Sequence, residues 1–137
     1  MKTAVVYYSL GGSTRSFARA EAQARNADLI ELKPAKPYRL LTAFVRGCPA
    51  AIRQQTVPLA NRPDLSGYDH IVLMAPIWAD HPAPPFNSAA ALLPAGAEVE
   101  AVLLSGGGKS STHGKVRALI EQQGCKVADV RDVRPHR

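Results

Sequence analysis

Cysteine is scarce in this 137-residue chain, and no apolar run is long enough to cross a bilayer. Cys48 and Cys125 stand alone, without a Cys-x-x-Cys pair or a histidine at metal-ligand spacing, so we interpret them as reduced structural thiols. Apolar stretches such as 4–8 and 71–75 are far shorter than the roughly 18 residues that a spanning helix needs, and the N-terminus lacks the apolar region of a signal peptide. We therefore expect a cytoplasmic protein with no membrane contact.

Acidic residues are also in short supply, with 11 against 17 basic residues and a formal net charge of +6. This balance favours encounter with anions, whether a cofactor, an acidic partner or a nucleic acid. The basic residues are spread along the chain without a groove-reading motif or interleaved aromatic residues, so nucleic-acid binding is not expected. The length and an apolar fraction of 46% fit a single globular domain over 1–137.

Five short strands are predicted from the apolar pattern. Continuous apolar runs such as 71–74 are typical of strands buried on both faces of a parallel sheet, whereas the alternation in 29–32 indicates a border strand. Connections that contain helical patterns separate these runs, and each is long enough for a parallel crossover, which needs a dozen or more residues. The pattern predicts an α/β fold, a doubly wound three-layer sandwich around a five-stranded parallel sheet. In chain order, the predicted strands are 4–8, 29–32, 71–74, 99–104 and 126–131.

Two helices are predicted in the first half of the chain. The first begins near Ser13 or Thr14, either of which has a hydroxyl suited to capping. The second covers 38–46, because Gly47 and Pro49 should kink or end it. An apolar stripe at helical spacing, typical of a face turned to the core, follows this second helix. It consists of Leu41, Phe44, Val45, Cys48 and Ile52.

Two further helices are predicted in the second half. Pro84 and Pro85 suit the first turn of a helix that ends before Pro94. The last predicted helix follows a hydroxyl-rich cap in 110–112 and ends at Gly124, in the left-handed conformation that commonly closes helices.

Three loops lie where such a sheet binds ligands, beyond the carboxyl ends of its strands: 9–14, 76–81 and 105–109. The first joins a strand to a helix N-terminus and contains hydroxyls and glycines. Converging amides and the helix dipole would stabilise a phosphate dianion there. The alternative is an ordinary glycine-rich turn with a capping serine or threonine.

The first loop resembles the phosphate loop of the flavodoxin family. Residues 7–15 are Tyr-Tyr-Ser-Leu-Gly-Gly-Ser-Thr-Arg, and the family typically has Ser/Thr-x-Thr-Gly-Asn/Ser-Thr after its first strand. The residues that match are Ser9, Gly12, Ser13 and Thr14. Gly11 departs, because the family usually has a threonine there whose hydroxyl reaches the phosphate. Losing such a hydrogen bond to a charged group would cost roughly 1.5 to 3 kcal/mol.

The second loop is similar to another stretch of flavodoxin-like proteins. Met-Ala-Pro-Ile-Trp-Ala at 74–79, followed by Pro-Ala-Pro-Pro at 82–85, matches the Gly-x-Pro-Val-Trp-x-Gly…Pro-Ala-Pro-Pro pattern. The resemblance implies that Trp78, the chain's one tryptophan, packs near the isoalloxazine ring. The alternative is a tryptophan that anchors the core. Asp80 and His81 differ from the family's residues, so no hydrogen bond to flavin N5 follows from the pattern.

The third loop, 105–108, resembles the glycine-rich loop that contacts the flavin pyrimidine in this family, where backbone amides would stabilise negative charge. Gly108-Lys109-Ser110 also imitates the end of a nucleotide-binding P-loop, but that motif requires a glycine where Leu103 stands. His113, just beyond the loop, is a candidate for substrate contact.

Taken together, the resemblance implies a flavodoxin-like sheet order of 2-1-3-4-5 and an FMN cofactor. It implies an oxidoreductase, of the NAD(P)H or quinone reductase type, or an electron carrier with a redox partner. The catalytic residues are not indicated, and no metal is expected. The implied FMN-binding residues are Ser9, Leu10, Gly11, Gly12, Ser13, Thr14, Pro76, Ile77, Trp78, Ala79, Ser105, Gly106 and Gly107.

The end of the chain departs from the family, because only a few polar residues follow Val130 where a fifth helix usually packs beside the first. A missing helix would leave an apolar sheet face bare, which monomers rarely tolerate, so we expect a homodimer that covers it. The same departure, together with Gly11, motivates an alternative: a flavin-free binding or assembly module on the same scaffold.

Overall fold

A computed structural model describes residues 2–134 and shows a six-stranded sheet between layers of helices. Five strands run parallel in the order β2-β1-β3-β5-β6, and β4 pairs antiparallel with the end of β3. The prediction of five parallel strands in the order 2-1-3-4-5 is therefore confirmed, with one short strand added. The strands are β1 (Thr3–Tyr7), β2 (Asp28–Glu31), β3 (His70–Trp78), β4 (His81–Pro82), β5 (Glu98–Leu104) and β6 (Lys126–Val133).

Helices cover both faces of the sheet. One face packs on α1 through Ala18 and Ala22, and the other packs on the remaining helices through residues such as Phe86 and Ile120. This is the predicted three-layer arrangement. The helices are α1 (Ser13–Arg25), α2 (Leu40–Thr42), a π-helical turn (Ala43–Gly47), α3 (Cys48–Ile52), α4 (Pro84–Ala90) and α5 (His113–Glu121). Within residues 2–134, no helix has the length and apolar character required to cross a bilayer.

The predicted helix over 38–46 is wrong at both ends. Helical structure begins at Leu40 and continues to Ile52 as α2, the π-helical turn and α3. Pro49 does not end it, because Pro49 lies in the first turn of α3, where a missing backbone N–H costs little. The π-helical turn absorbs the irregularity, as single π turns inside helices commonly do.

The orientation predicted for this segment is also wrong. Phe44 is 67% exposed and Leu41 is 73% exposed, so the apolar stripe faces solvent, except for Cys48, which is half-buried against the core. The small residues Ala43 and Ala51 are buried in its place. The helix thus packs on the core through its small residues.

Some predicted boundaries and caps need correction. Gly12, not Ser13 or Thr14, caps α1, and no side chain bonds the free amides of the first turn. β3 continues through Pro76 and Ile77 to Trp78, so the second loop is shorter than predicted and its first residues belong to a strand.

The sheet face beside α1 is closed by charged residues. The carboxylate of Glu100 on β5 receives Arg25 Nη2 at 2.9 Å and Arg131 Nη1 at 3.0 Å, and it also contacts His70. These side chains cover the area next to Val102, which is fully buried. The prediction of a bare apolar face here is therefore wrong, because a half-buried ion-pair network occupies it. No helix follows β6 within the residues that the structure describes.

Candidate functional site

Three loops meet at the carboxyl edge of the sheet, as expected for parallel strands. The second and third are joined by Asp80, whose carboxylate accepts the Ser111 amide at 2.9 Å and the Ser111 hydroxyl. The Asp80 carbonyl accepts the Thr112 hydroxyl at 2.8 Å. The hydrogen bonds from Ser111 lower the pKa of Asp80, so this link is strongest with the carboxylate ionised.

The first loop presents unsatisfied backbone donors at the start of α1. Gly12 adopts a left-handed conformation with φ 98°, and its amide donates to Ser9 Oγ at 2.9 Å. The first helical hydrogen bond runs from the Ser16 amide to the Gly12 carbonyl. The amides of residues 13–15 donate to no protein acceptor within the described chain. They are oriented as a helix N-terminus presents donors to an anion.

The backbone of this loop is open to approach. A Cβ built on Gly11 or Gly12 would meet no heavy atom within 4 Å, and the same holds at Gly106 and Gly107 of the third loop. The α1 first turn carries no acidic residue. Both loops therefore leave room for a ligand against the main chain, and the first provides a positive end of a helix dipole.

Trp78 lies in an aromatic cluster rather than in an open cleft. Its ring makes edge contacts with Tyr8 and Tyr38, at centroid distances of 5.8 and 5.1 Å, and it is 9% exposed. On another side, a Cβ at Gly47 would lie 2.5 Å from Cζ3 of the indole. The ring is therefore held by its neighbours, as the core-anchor alternative predicts for it.

Tyr8 and Tyr38 were not among the predicted site residues. They line a cleft of about 290 Å³ that also includes Ser9 and Leu10 of the first loop. Burial, with a smaller contribution from Tyr38, raises the pKa of Tyr8 to about 12, so its hydroxyl stays protonated and able to donate. Tyr8 directly precedes the loop in sequence, whereas nothing local to Tyr38 indicated its contact with Trp78.

His81 contributes a buried nitrogen without a partner. Its Nδ1 lies 2.9 Å from the Ala79 carbonyl, which only accepts, so Nδ1 carries the proton and donates. Its Nε2 is then an acceptor, buried and unpaired within the described residues. Ala79 and Asp80 both have left-handed backbones, at φ 51° and 69°, which turns the chain sharply into β4. An unsatisfied buried acceptor beside such a turn is a typical property of a ligand site.

The third loop is held by Asp132 at the end of β6. Its carboxylate accepts the Ser110 amide and hydroxyl at 2.8 and 2.7 Å, and lies 3.0 Å from Nε2 of His113. Burial alone would raise the pKa of Asp132, but the hydrogen bonds from Ser110 and His113 bring it below its ordinary value. His113 is thus tied to the loop. Asp132 was missed because the predicted strand stopped at Arg131.

The structure brings the predicted residues together in part. Tyr8, directly before the first loop, contacts Trp78, and Asp80 of the second loop bonds Ser111, just beyond the third. Within residues 2–134, no group of three or more metal-ligating side chains is present.

No protein-family model matches the chain, and no curated protein matches it in sequence. Solved structures do resemble it. A candidate flavoprotein from Bacteroides uniformis has a TM-score of 0.79 at 25% identity, over 97% of this chain and 90% of that one. A flavoprotein from Lactobacillus acidophilus in complex with FMN has a TM-score of 0.71 at 22% identity, over 96% and 92%. Oxidised flavodoxin 1 from Bacillus cereus has a TM-score of 0.58 at 16% identity, over 100% and 86%.

These likenesses extend along nearly the whole length of each chain. The fold is flavodoxin-like, as the loops indicated.

Proposed function

We propose that this protein binds FMN at the carboxyl edge of its sheet and functions in electron transfer. The observation that carries the proposal is the start of α1, where three amides without acceptors and an open glycine backbone form an anion site. The Lactobacillus acidophilus flavoprotein, a protein of this fold, was crystallised with FMN. Bound FMN supplies one- and two-electron redox chemistry, whereas the chain supplies binding and orientation.

Loop 9–14 would hold the phosphate. The amides of residues 13–15 donate to it, the Ser13 hydroxyl is exposed beside them, and Gly12 lets the main chain turn into the helix. Arg15 does not supply a free charge, because it pairs with Glu31 at 2.7 Å. Phosphate binding therefore depends on backbone donors, the Ser13 hydroxyl and the helix dipole.

Loops 76–80 and 105–109 would hold the ring. Ile77 and Ala79 flank Trp78, and the buried Nε2 of His81 would accept a hydrogen bond from a ligand N–H or O–H group. Ser105 is positioned by its amide, which donates to the Val133 carbonyl at 3.0 Å, leaving the glycines after it uncovered. We propose that their amides face the pyrimidine edge.

Titration of FMN into the purified protein, followed by fluorescence quenching, tests this proposal. We expect saturable quenching that Ser13→Ala weakens and that Ser16→Ala, an exposed serine one turn further along the helix, leaves unchanged. Quenching that does not saturate, or equal effects of the two variants, would contradict the assignment of the loop.

We propose a reductase or an electron carrier for the cofactor-loaded protein, and the excess of basic residues favours a reductase or an acidic redox partner. Anaerobic addition of NADH, NADPH or a quinone separates these. Bleaching of the flavin absorbance by a nicotinamide nucleotide indicates a reductase, whereas reduction by dithionite alone indicates a carrier.

The second candidate is a flavin-free binding module. It is favoured by Gly11, which lacks the family's phosphate-binding hydroxyl, and by the contacts that enclose Trp78. A purified protein that is folded and colourless and does not quench FMN fluorescence would support this flavin-free binding module.

The homodimer stays a prediction, although the bare sheet face that motivated it is closed by the Glu100 network. Light scattering at micromolar concentration checks it, and a monomer would contradict it. The cytoplasmic location also stays a prediction.

A further inference from the structure

An apolar ridge projects from the helical segment over 40–52. We call it the helix ridge, and among residues 2–134 it holds all but one of the exposed large hydrophobic side chains, the other being Leu29. Exposed clusters of this kind mark interaction surfaces. The ridge consists of Leu40 (72% exposed), Leu41 (73%), Phe44 (67%), Val45 (65%) and Ile52 (51%).

Packing on the inner side of the helical segment holds the helix ridge in an outward orientation. Gly47 lies against the indole of Trp78, where any Cβ would come within 2.5 Å of Cζ3, and Ala43 and Ala51 fill the same inner face. Turning the helix to bury Phe44 would force a large side chain into this close contact. The exposure of the ridge therefore follows from the native packing.

Charge around the ridge has one sign. Residues 33–63 contain no acidic residue, and none of their basic side chains lies within 4 Å of a carboxylate inside the described chain. The basic residues of this segment are Lys33, Lys36, Arg39, Arg46, Arg53 and Arg62. Unneutralised cations beside an apolar surface favour an anionic partner.

A basic cleft lies next to the ridge. It has a volume of about 220 Å³, and Lys36, Tyr38 and Arg46 contribute to its lining. The Arg46 guanidinium sits 5.5 Å from the centre of the Tyr38 ring. The two cations of this cleft, Lys36 and Arg46, would bind the phosphate headgroup of a lipid, while the adjoining helix ridge would contact its acyl chains.

We propose that the helix ridge docks on the surface of an anionic lipid bilayer, which departs from the sequence-based expectation of no membrane contact. A helix that is apolar on its outer side and flanked by basic residues binds in the interface without spanning the membrane. A second copy of this chain fits less well, because a two-fold contact would bring the cations of both copies together. Most side chains of the helix ridge are about two-thirds exposed and project outward. A bilayer suits them because fluid hydrocarbon surrounds apolar side chains without needing a groove of matching shape.

Sedimentation with vesicles tests the proposal on the full-length protein. We expect binding to vesicles of phosphatidylcholine with 30% phosphatidylglycerol, weaker binding at high salt, and little binding to phosphatidylcholine alone. The double variant L41S/F44S should lower the partition coefficient by at least about tenfold. Leu29→Ser, which changes an exposed leucine on the border strand, should leave it unchanged.

Several results would overturn the proposal. Binding to neither vesicle would do so, as would binding to anionic vesicles that L41S/F44S does not weaken, since charge alone would then explain it. A dimer in light scattering that the same variant dissociates, without vesicle binding, would assign the ridge to self-association. Ridge-dependent binding to polyglutamate without vesicle binding would assign it to an acidic protein. Circular dichroism of the variants confirms folding, and FMN titration of L41S/F44S reports the flavin site separately.

Discussion

Replacing Gly11 by threonine should tighten FMN binding. Gly11 is the position where the flavodoxin pattern has a threonine, and it lacks the left-handed backbone that would exclude one. An added Cβ there meets no heavy atom within 4 Å. The structure therefore provides room for the hydroxyl that this chain lacks, next to the free amides that open α1.

The magnitude follows from the new bond. A hydrogen bond to a charged group contributes about 1.5 to 3 kcal/mol, and each 1.4 kcal/mol is about tenfold in affinity. Gly11→Thr should thus lower the Kd for FMN by roughly 10- to 100-fold. Global stability should rise slightly, by about 0.4 to 1 kcal/mol, because threonine restricts the unfolded chain.

Fluorescence titration of a matched set measures this effect. Gly11→Ala separates the hydroxyl from the backbone change, and Gly12→Thr places the same side chain one residue later, where φ is 98° and strain should weaken binding. An affinity for G11T no higher than that for G11A would refute the reasoning, because the hydroxyl would then not reach the phosphate.

Three further substitutions test contacts seen in the structure. Gly47→Ala should destabilise the fold by about 1 to 3 kcal/mol in urea unfolding, and shift the fluorescence of Trp78, because the new methyl group overlaps the indole. Glu100→Gln should cost about 1.5 kcal/mol at neutral pH, because it removes the charge from a buried carboxylate that accepts hydrogen bonds from two half-buried arginines. The hydrogen bond from Arg25, followed by those from His70 and Arg131, holds the pKa of Glu100 well below its ordinary value. The stabilisation that Glu100 contributes is therefore fully present above about pH 4.3 and is lost as the pH falls further. In thermal unfolding measured against pH, E100Q should therefore lose less stability between neutral pH and about pH 3 than the unmodified protein does. Asp80→Asn should weaken FMN binding and leave urea unfolding nearly unchanged, because it loosens only the exposed link to Ser111.

The sheet was predictable from the sequence because its central strands β1, β3 and β5 are buried on both faces. Runs such as 71–74 and 99–104 have no other stable location in a chain this short, and each lies inside an observed strand. Strand ends were less predictable. β3 continues to Trp78 because β4 returns and pairs with it, a tertiary contact that the left-handed turn at 79–80 creates.

The loops of the candidate site were predictable, but the contacts between them were not. Position after a strand indicated 9–14 and 105–109, since parallel topology places these ends together. Trp78 had two interpretations, and only the positions of Tyr38 and Gly47, both far away in sequence, show that its ring is enclosed. Local patterns carry no information about such long-range neighbours.

The helical segment 40–52 was misjudged because two stripes share the same period. Leu41 and Phe44 form an apolar stripe, while Ala43, Gly47 and Ala51 form a small-residue stripe about a third of a turn away. Hydrophobicity favours burying the first, but close approach to a large ring requires the second. The partner therefore decides the orientation, and the indole of Trp78 selects the small residues.

This inversion has its counterpart on the sheet. The face beside α1, expected to be apolar and to need a partner, is closed within the monomer, because Glu100 on β5 draws Arg25 and Arg131 across it. Association through that face would have to bury the half-exposed arginines of this network, which costs desolvation free energy. The apolar surface that remains lies on the helix ridge instead, in a segment whose only charges are basic. Any stable association of this protein should therefore involve the helix ridge and weaken as the salt concentration rises. Substitutions in the Glu100 network should change the free energy of unfolding without changing binding through the ridge.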